Sequence, residues 1–207
     1  AASDVYKRQV DGKAAGIIAI SDQIKETSRS AVSKLENKGI NTVMLTGDNK
    51  QTALTIAGYA GIKNVIYEVL PEDKAAEIKK IQESGKITAM VGDGINDAPA
   101  LAQSDVGIAI GSGTDIAIES ADIVLMNGSL EGVNTAIKLS HATIRNIKQN
   151  LFWAFGYNIL GIPIAMGLLH IFGGPLLNPM IAAAAMSLSS VSVLSNALRL
   201  RNFKADA

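Results

Sequence analysis

The sequence predicts an α/β fold, a mainly parallel sheet covered by helices on both faces, followed by a pair of apolar helices. Three observations predict it. Short apolar runs alternate with amphipathic segments from Ala14 to Leu130, glycine and aspartate punctuate the ends of those runs, and no Lys, Arg, Asp or Glu occurs between Gln149 and Leu198. Repeated strand-helix units at this spacing favour parallel pairing, because each crossover helix must bury its apolar face on the sheet. Right-handed crossovers follow.

Ala14 to Ile20 reads as a strand and Lys25 to Lys38 as a helix that stops at Gly39. Asn41 to Leu45 is the next strand. Gln51 to Ala60 sets Ala53, Ile56, Ala57 and Ala60 on one helical face. Asn64 to Val69 is a strand, and Pro71 opens a helix at the position where its missing N–H costs least. Lys86 to Val91, Val106 to Ile110 and Ile123 to Leu125 supply further strands, with helices between them. Beyond Leu130 a long helix runs through His141, Arg145 and Lys148. Leu151 to Phe172 is then a stretch of about 33 Å if helical, the length that spans a bilayer. Gly173-Gly174-Pro175 breaks it, and Leu176 to Leu198 is a second stretch that ends at Arg199, Arg201 and Lys204. Basic residues flank the outer ends and none lies in the turn, so a transmembrane hairpin is expected, with both ends and the α/β part on the cytoplasmic side. Trp153 suits an interfacial aromatic. The expected organisation is residues 1–9 outside the fold, an α/β domain over 10–138 and a membrane domain over 139–207, a multi-pass location in the cell membrane.

The chain has 207 residues, with 19 basic and 19 acidic side chains and therefore no formal net charge. Neutrality and the absence of a basic stripe argue against a nucleic-acid partner. Cysteine is absent, which excludes disulfides and thiolate metal sites within this sequence.

The run from Val91 to Leu101, Val-Gly-Asp-Gly-Ile-Asn-Asp-Ala-Pro-Ala-Leu, sets Asp93 and Asp97 four residues apart around a glycine turn, between a strand and an alanine-rich helix. Carboxylates at the carboxyl edge of a parallel sheet lie where open α/β folds bind ligands. Mg²⁺ takes one or two carboxylates together with water and substrate phosphate, and this turn supplies them. Leu45-Thr46-Gly47-Asp48-Asn49 ends another strand at the same edge, where Thr46 offers a hydroxyl and the loop its amides to a phosphoryl oxygen. Lys74 starts a helix between the two motifs and is placed to neutralise phosphoryl charge. A bare Asp-Gly is ordinary turn chemistry and a single lysine is ordinarily solvated. The order of the three elements, rather than any one of them, points to a phosphate site.

This set, continued by Ser104-Asp-Val-Gly-Ile-Ala-Ile-Gly111, resembles the hinge motif of P-type ATPases of the heavy-metal type, within the Rossmann-like haloacid dehalogenase superfamily. The resemblance covers Val10 to Lys204. It implies Asp93 as an Mg²⁺ ligand, Asp97 as support for the metal or its waters, Asn96 as a nearby polar contact, and Thr46 and Lys74 as holders of an aspartyl phosphate, with Gly47 and Asp48 shaping the loop. It implies that Asp22 and Lys25 belong to the hinge that leads back from an ATP-binding domain. It also implies a nucleophilic aspartate in an Asp-Lys-Thr-Gly-Thr segment, which this sequence does not contain, so the chain should not turn over ATP alone.

For the transported ion, a Tyr157-Asn158 pair and a Met186-x-x-x-Ser190 pair match those of Cu(I) pump relatives. Met186 and Ser190 share one helical face, and a thioether is a soft ligand suited to Cu⁺ or Ag⁺. Zinc and cadmium pump relatives carry a charged lysine and aspartate pair instead, which is missing here. The implied partners are the lipid bilayer, the transported ion, the remaining pump domains and, as a possibility, a copper chaperone. Two other readings stay open. One is a membrane-tethered phosphatase of the same superfamily, and the other is a non-catalytic accessory module that docks on a complete pump.

Overall fold

The computed structural model describes residues 4–20, 24–93, 95–111, 118–174 and 178–204. Two compact units divide the chain, Ala1–Asn134 and Thr135–Ala207. The first begins with a hairpin of β1 (Asp4–Val10) and β2 (Lys13–Ile20), paired antiparallel with Val10 opposite Lys13. Its two-residue turn has Asp11 at φ 49° and Gly12 at φ 75°. Positive φ at both positions is the Asp-Gly turn that matches strand twist. Ala14 to Ile20 is therefore a strand, but one that folds back on Asp4–Val10 instead of joining a parallel sheet.

The remaining strands form two parallel ladders. β3 (Val43–Leu45) pairs with β4 (Asn64–Ile66), Val43 opposite Asn64 and Leu45 opposite Ile66. The second ladder runs β5 (Ala89–Gly92), β6 (Val106–Ile110) and β7 (Ile123–Leu125) in that order. Helix α1 (Glu26–Glu36) precedes β3, and α2 (Lys50–Ala60) is the crossover from β3 to β4. The Asn49 side chain caps α2 by accepting from the Thr52 amide at 3.0 Å, and Gly61 ends it at φ 81°. Ala31 on α1, with Ala53 and Ala57 on α2, is essentially without solvent contact. Small side chains let these two helices approach closely.

A 3-10 turn, Pro71–Asp73, leads into α3 (Lys74–Glu83), and a second one, Ile95–Asp97, leads into α4 (Ala98–Gln103). Ile78, Met90, Ala100 and Leu101 make the core beneath them, and Leu45 of β3 packs on it. Gly107 of β6 is required there, because a Cβ at this position would lie 2.8 Å from the Leu101 carbonyl oxygen. The loop into β6 is tied by Asp105, whose carboxylate accepts from the Thr88 amide at 2.7 Å and from its hydroxyl at 3.1 Å.

Helix α5 (Glu131–Ala165) leaves the first unit at Asn134. Asn134 is buried, donating to the Ala31 carbonyl at 3.0 Å and accepting from Lys38 at 2.9 Å. After it come α6 (Leu168–Ile171), α7 (Pro179–Leu198) and a 3-10 turn, Arg199–Asn202. A side-chain network joins α5 to α7. Asn146 donates to the Asn196 carbonyl at 2.7 Å, and Asn196 donates to the Asn150 side chain at 2.8 Å.

Among the described residues no helix is long and apolar enough to cross a membrane. The expected pair of transmembrane helices, and with it the multi-pass location in the cell membrane and the inside-outside assignment, is overturned. The first expected span is not one helix. From Leu151 the helix ends at Ala165, about 22 Å on, and Gly167 at φ 89° breaks the path. The second begins at Pro179 and carries Ser187, Ser189, Ser190, Ser192, Ser195 and Asn196 among its apolar residues.

Two measurements check this account of the first unit. Gly107→Ala should lower stability by about 1–3 kcal/mol in urea unfolding, because the obstacle is backbone and cannot swing aside. The Thr88 amide, with Gln82 and the Thr88 hydroxyl, holds the Asp105 carboxyl below its usual range. A depressed folded pKa gives a contribution to stability that is complete above the ordinary aspartate value and is lost as pH falls through the lower folded one. Asp105→Asn should therefore flatten the acid limb of a stability-against-pH curve and change its slope little at neutral pH.

Candidate functional site

The site forms at the carboxyl ends of β3 and β5, where each parallel strand runs into a loop. After β3, Thr46 closes a compact turn. Its hydroxyl donates to the Asp48 carboxylate at 2.9 Å and accepts from the Asp48 amide at 3.1 Å. The Glu68 amide donates to the Asp48 carbonyl at 2.9 Å, and the Val69 amide to the Thr46 carbonyl at 3.2 Å. Gly47 fits because a Cβ would meet the Val69 carbonyl oxygen at 3.3 Å. Glu68 completes the closure at φ 57°, a left-handed conformation unusual for glutamate. No sequence signal marked it.

After β5, Asp93 stands exposed at the strand end and Asn96 is exposed on the following turn. Asp97 folds back instead. Its Oδ1 accepts from the Lys74 ammonium at 2.7 Å, with the two side chains only 16% and 13% exposed. Gly92 makes this possible, since a Cβ there would lie 2.7 Å from Asp97 Cβ and 2.8 Å from its Oδ2. Any side chain at residue 92 would push the carboxylate off the strand end. Both partners start helices, Lys74 at the head of α3 and Asp97 just before α4. Their ion pair locks the two helix starts across the end of β5. Removing one partner of such a sheltered pair costs about 3 kcal/mol, mostly the penalty of leaving the other charge unpaired.

Lys74 and Asp97 are thus brought together, and so are Thr46 and Asp48. No hydrogen bond among the described residues joins one pair to the other. Lys25 lies elsewhere in the unit, where its ammonium donates to the Gly128 carbonyl in the loop before α5. Asp22 lies outside the described residues. In the second unit, Tyr157 and Ser192 share a hydrogen bond of 3.3 Å between hydroxyls. Asn158 donates to the Ala154 carbonyl at 2.8 Å, Ser190 to the Met186 carbonyl at 3.3 Å, and Met186 is 74% exposed. Among these four, the hydrogen bonds of the described residues join only Ser190 to Met186.

No cluster of three or more His, Cys, Asp or Glu that would cage a metal occurs among the described residues. The donor set nevertheless fits Mg²⁺, which binds through one or two carboxylates and fills its other positions with water and phosphate oxygen. Asp93 is the free carboxylate. Asp97 keeps Oδ2 outside its ion pair with Lys74.

Residues 2–105 match the family of haloacid dehalogenase-like hydrolases. Over 193 residues the chain is 58% identical to Copper-transporting ATPase 1 of Rhizobium meliloti (strain 1021), covering 93% of this chain and 23% of that protein. It is 59% identical over 196 residues to the Copper-exporting P-type ATPase of Bacillus subtilis (strain 168), covering 94% of this chain and 23% of the relative. The chain thus spans about a quarter of the length of the curated relatives it matches. Among solved structures, a zinc-transporting PIB-type ATPase in the E2.Pi state superposes with a TM-score of 0.77 at 39% identity, covering 92% of this chain and 30% of that one. The catalytic domain of a CPx-ATPase matches with a TM-score of 0.51 at 32% identity, over 59% of this chain and 47% of that one. With its parallel ladders, its Thr46 turn and its Lys74–Asp97 pair at the strand ends, this chain belongs to the haloacid dehalogenase-like hydrolase family.

Proposed function

We propose that the first unit is the greater part of a phosphorylation domain in an ATP-driven Cu(I) or Ag(I) export pump that works through an aspartyl phosphate. The observation that carries the reading is the Lys74–Asp97 ion pair at 2.7 Å, set against Gly92 and next to the exposed Asp93. It fixes one cation and one carboxylate at the strand end where an aspartyl phosphate and its metal would lie. In this reading Asp93 holds Mg²⁺ and Asp97 orients its waters while keeping the Lys74 ammonium in place. Lys74 and the Thr46 hydroxyl bind phosphoryl oxygens, with Gly47, Asp48 and Glu68 holding the threonine turn closed and Asn96 on the rim. Bound Mg²⁺ would offset the negative charge that builds up on the transferring phosphoryl group.

The nucleophile is assigned to another stretch of polypeptide. Among the described residues β3 and β5 do not pair with each other, and each has one strand neighbour. Both carry site residues at their carboxyl ends. A parallel strand inserted between them would present a terminal aspartate to Thr46, Lys74 and Asp93 together. The high identity with relatives named as copper pumps supports copper over zinc as cargo. The thioether of Met186, with Ser190, Tyr157 and Asn158, supplies soft and neutral donors for Cu(I). ATP is assigned to the remaining pump domains, together with any copper chaperone contact. Exposed apolar side chains on α5 and α7, among them Phe155, Leu160, Met180 and Leu194, mark a surface that those domains would cover.

A titration of the isolated chain with Mg²⁺, followed by amide NMR shifts, tests the site. Shifts should centre on Gly92, Asp93 and Asn96, and inorganic phosphate should enlarge them. Asp93→Asn should weaken Mg²⁺ binding by at least about tenfold, while Lys74→Met should keep the metal response and lose the phosphate effect. Metal binding unchanged in Asp93→Asn would overturn the assignment. The cargo is tested separately, by copper and zinc tolerance of cells that depend on the complete pump. Met186→Ala and Asn158→Ala should each abolish copper tolerance. Zinc export that persists without any copper export would overturn Cu(I) as the cargo.

A further inference from the structure

We propose that a groove between α5 and the end of α7 binds a phosphate monoester carrying an apolar or aromatic group. The phosphate would lie on Arg145, Lys148 and Arg199, and the remainder against Ile144, Phe152 and Trp153. These residues line a cavity of about 780 Å³ that lies wholly within the second unit. His141, Arg145, Lys148 and Phe152 follow one another at four, seven and eleven residues along α5, which places them on one helical face. The sequence holds no carboxylate from residue 132 to residue 205, so nothing in this stretch offsets the cations. Neither Arg145 nor Lys148 is in an ion pair with a described residue.

The third cation is held in position. The Arg199 guanidinium donates to the Asn196 side chain at 3.2 Å. Asn196 is itself 7% exposed and tied to Asn150 at 2.8 Å. Three like charges gathered at one groove repel one another unless an anion joins them, and a dianion fits better than a single carboxylate. The floor explains the rest of the ligand. Phe152 and Trp153 meet edge to face at 5.7 Å and stay 70% and 45% exposed, leaving apolar rings beside the charges. A bare phosphate would leave those rings in water. The headgroup of phosphatidic acid and a nucleoside monophosphate share the required chemistry.

Trp153 is the sole tryptophan of the chain, so its emission reports directly on the groove. The full chain is titrated with dihexanoyl phosphatidic acid below its micelle concentration, with AMP, with dihexanoyl phosphatidylcholine and with inorganic phosphate. A saturable response to phosphatidic acid or to AMP is expected, and the tighter of the two identifies the source. Binding should weaken as salt rises. Arg145→Gln and Lys148→Gln should each lower affinity at least about tenfold, the scale of one lost charge-assisted hydrogen bond. Circular dichroism should show unchanged helix content in both variants. An absent response to both monoesters, an equal response to phosphatidylcholine or inorganic phosphate, or unchanged affinity in either variant would overturn the proposal.

Discussion

The ion pair between Lys74 and Asp97 is the constraint around which the first unit is arranged. It is short and sheltered, and it stands where two helices begin. For the pair to close, Asp97 must lie flat on the end of β5, and only a glycine at residue 92 leaves room. For α3 to reach it, Ile78 must seat on Met90 and Leu101, the same cluster that receives Leu45 from β3. For α4 to reach it, Leu101 must come down on β6 at Gly107. One polar contact thus presupposes two glycines and the small apolar core below them. The charges that would meet phosphate are held by packing rather than by the flexibility of their own loops.

Much of this was legible in the residue order, and the reasons differ from element to element. β6 and β7 have the bounds that their apolar runs suggest, since each is flanked by strong turn chemistry. The helix read from Gln51 to Ala60 is α2 to within a residue, because its ends are set locally by the Asn49 cap and the Gly61 stop. Lys74, Asp93 and Asp97 were identifiable as candidates from their place after strands. That Lys74 and Asp97 meet was not, as they are 23 residues apart and their approach depends on the fold. Gly92 read as a turn residue, although its role is to leave space for a neighbour. Glu68 carried no signal at all, because nothing in a glutamate announces a left-handed backbone.

The second unit shows where a hydropathy window misleads. Residues 149–198 hold no charge, yet the absence of charge says nothing about where a helix stops. Gly167 interrupts the path between Met166 and Leu168, one turn beyond Pro163 of α5. The serines of α7 satisfy themselves locally, Ser187 on the Ala183 carbonyl and Ser190 on that of Met186, while Asn146, Asn150 and Asn196 knit the helix pair together. Amide side chains in that network fix the register of the two helices more sharply than leucines would. Their hydrogen bonds close in one arrangement only.

The separate ladders of the first unit bear on how this chain behaves in concentrated solution. A strand with a bare edge templates whatever extended segment it meets, which is how sheets grow into fibrils. β3 and β4 are three residues long and β5 is four. Edges of that length hold a partner only if side chains on it also find their places in the core, as Leu45 does. Brevity therefore acts as a filter. It favours a matching strand seated by its own packing, whereas β1 and β2, seven and eight residues long and paired only with each other among the described residues, offer longer edges.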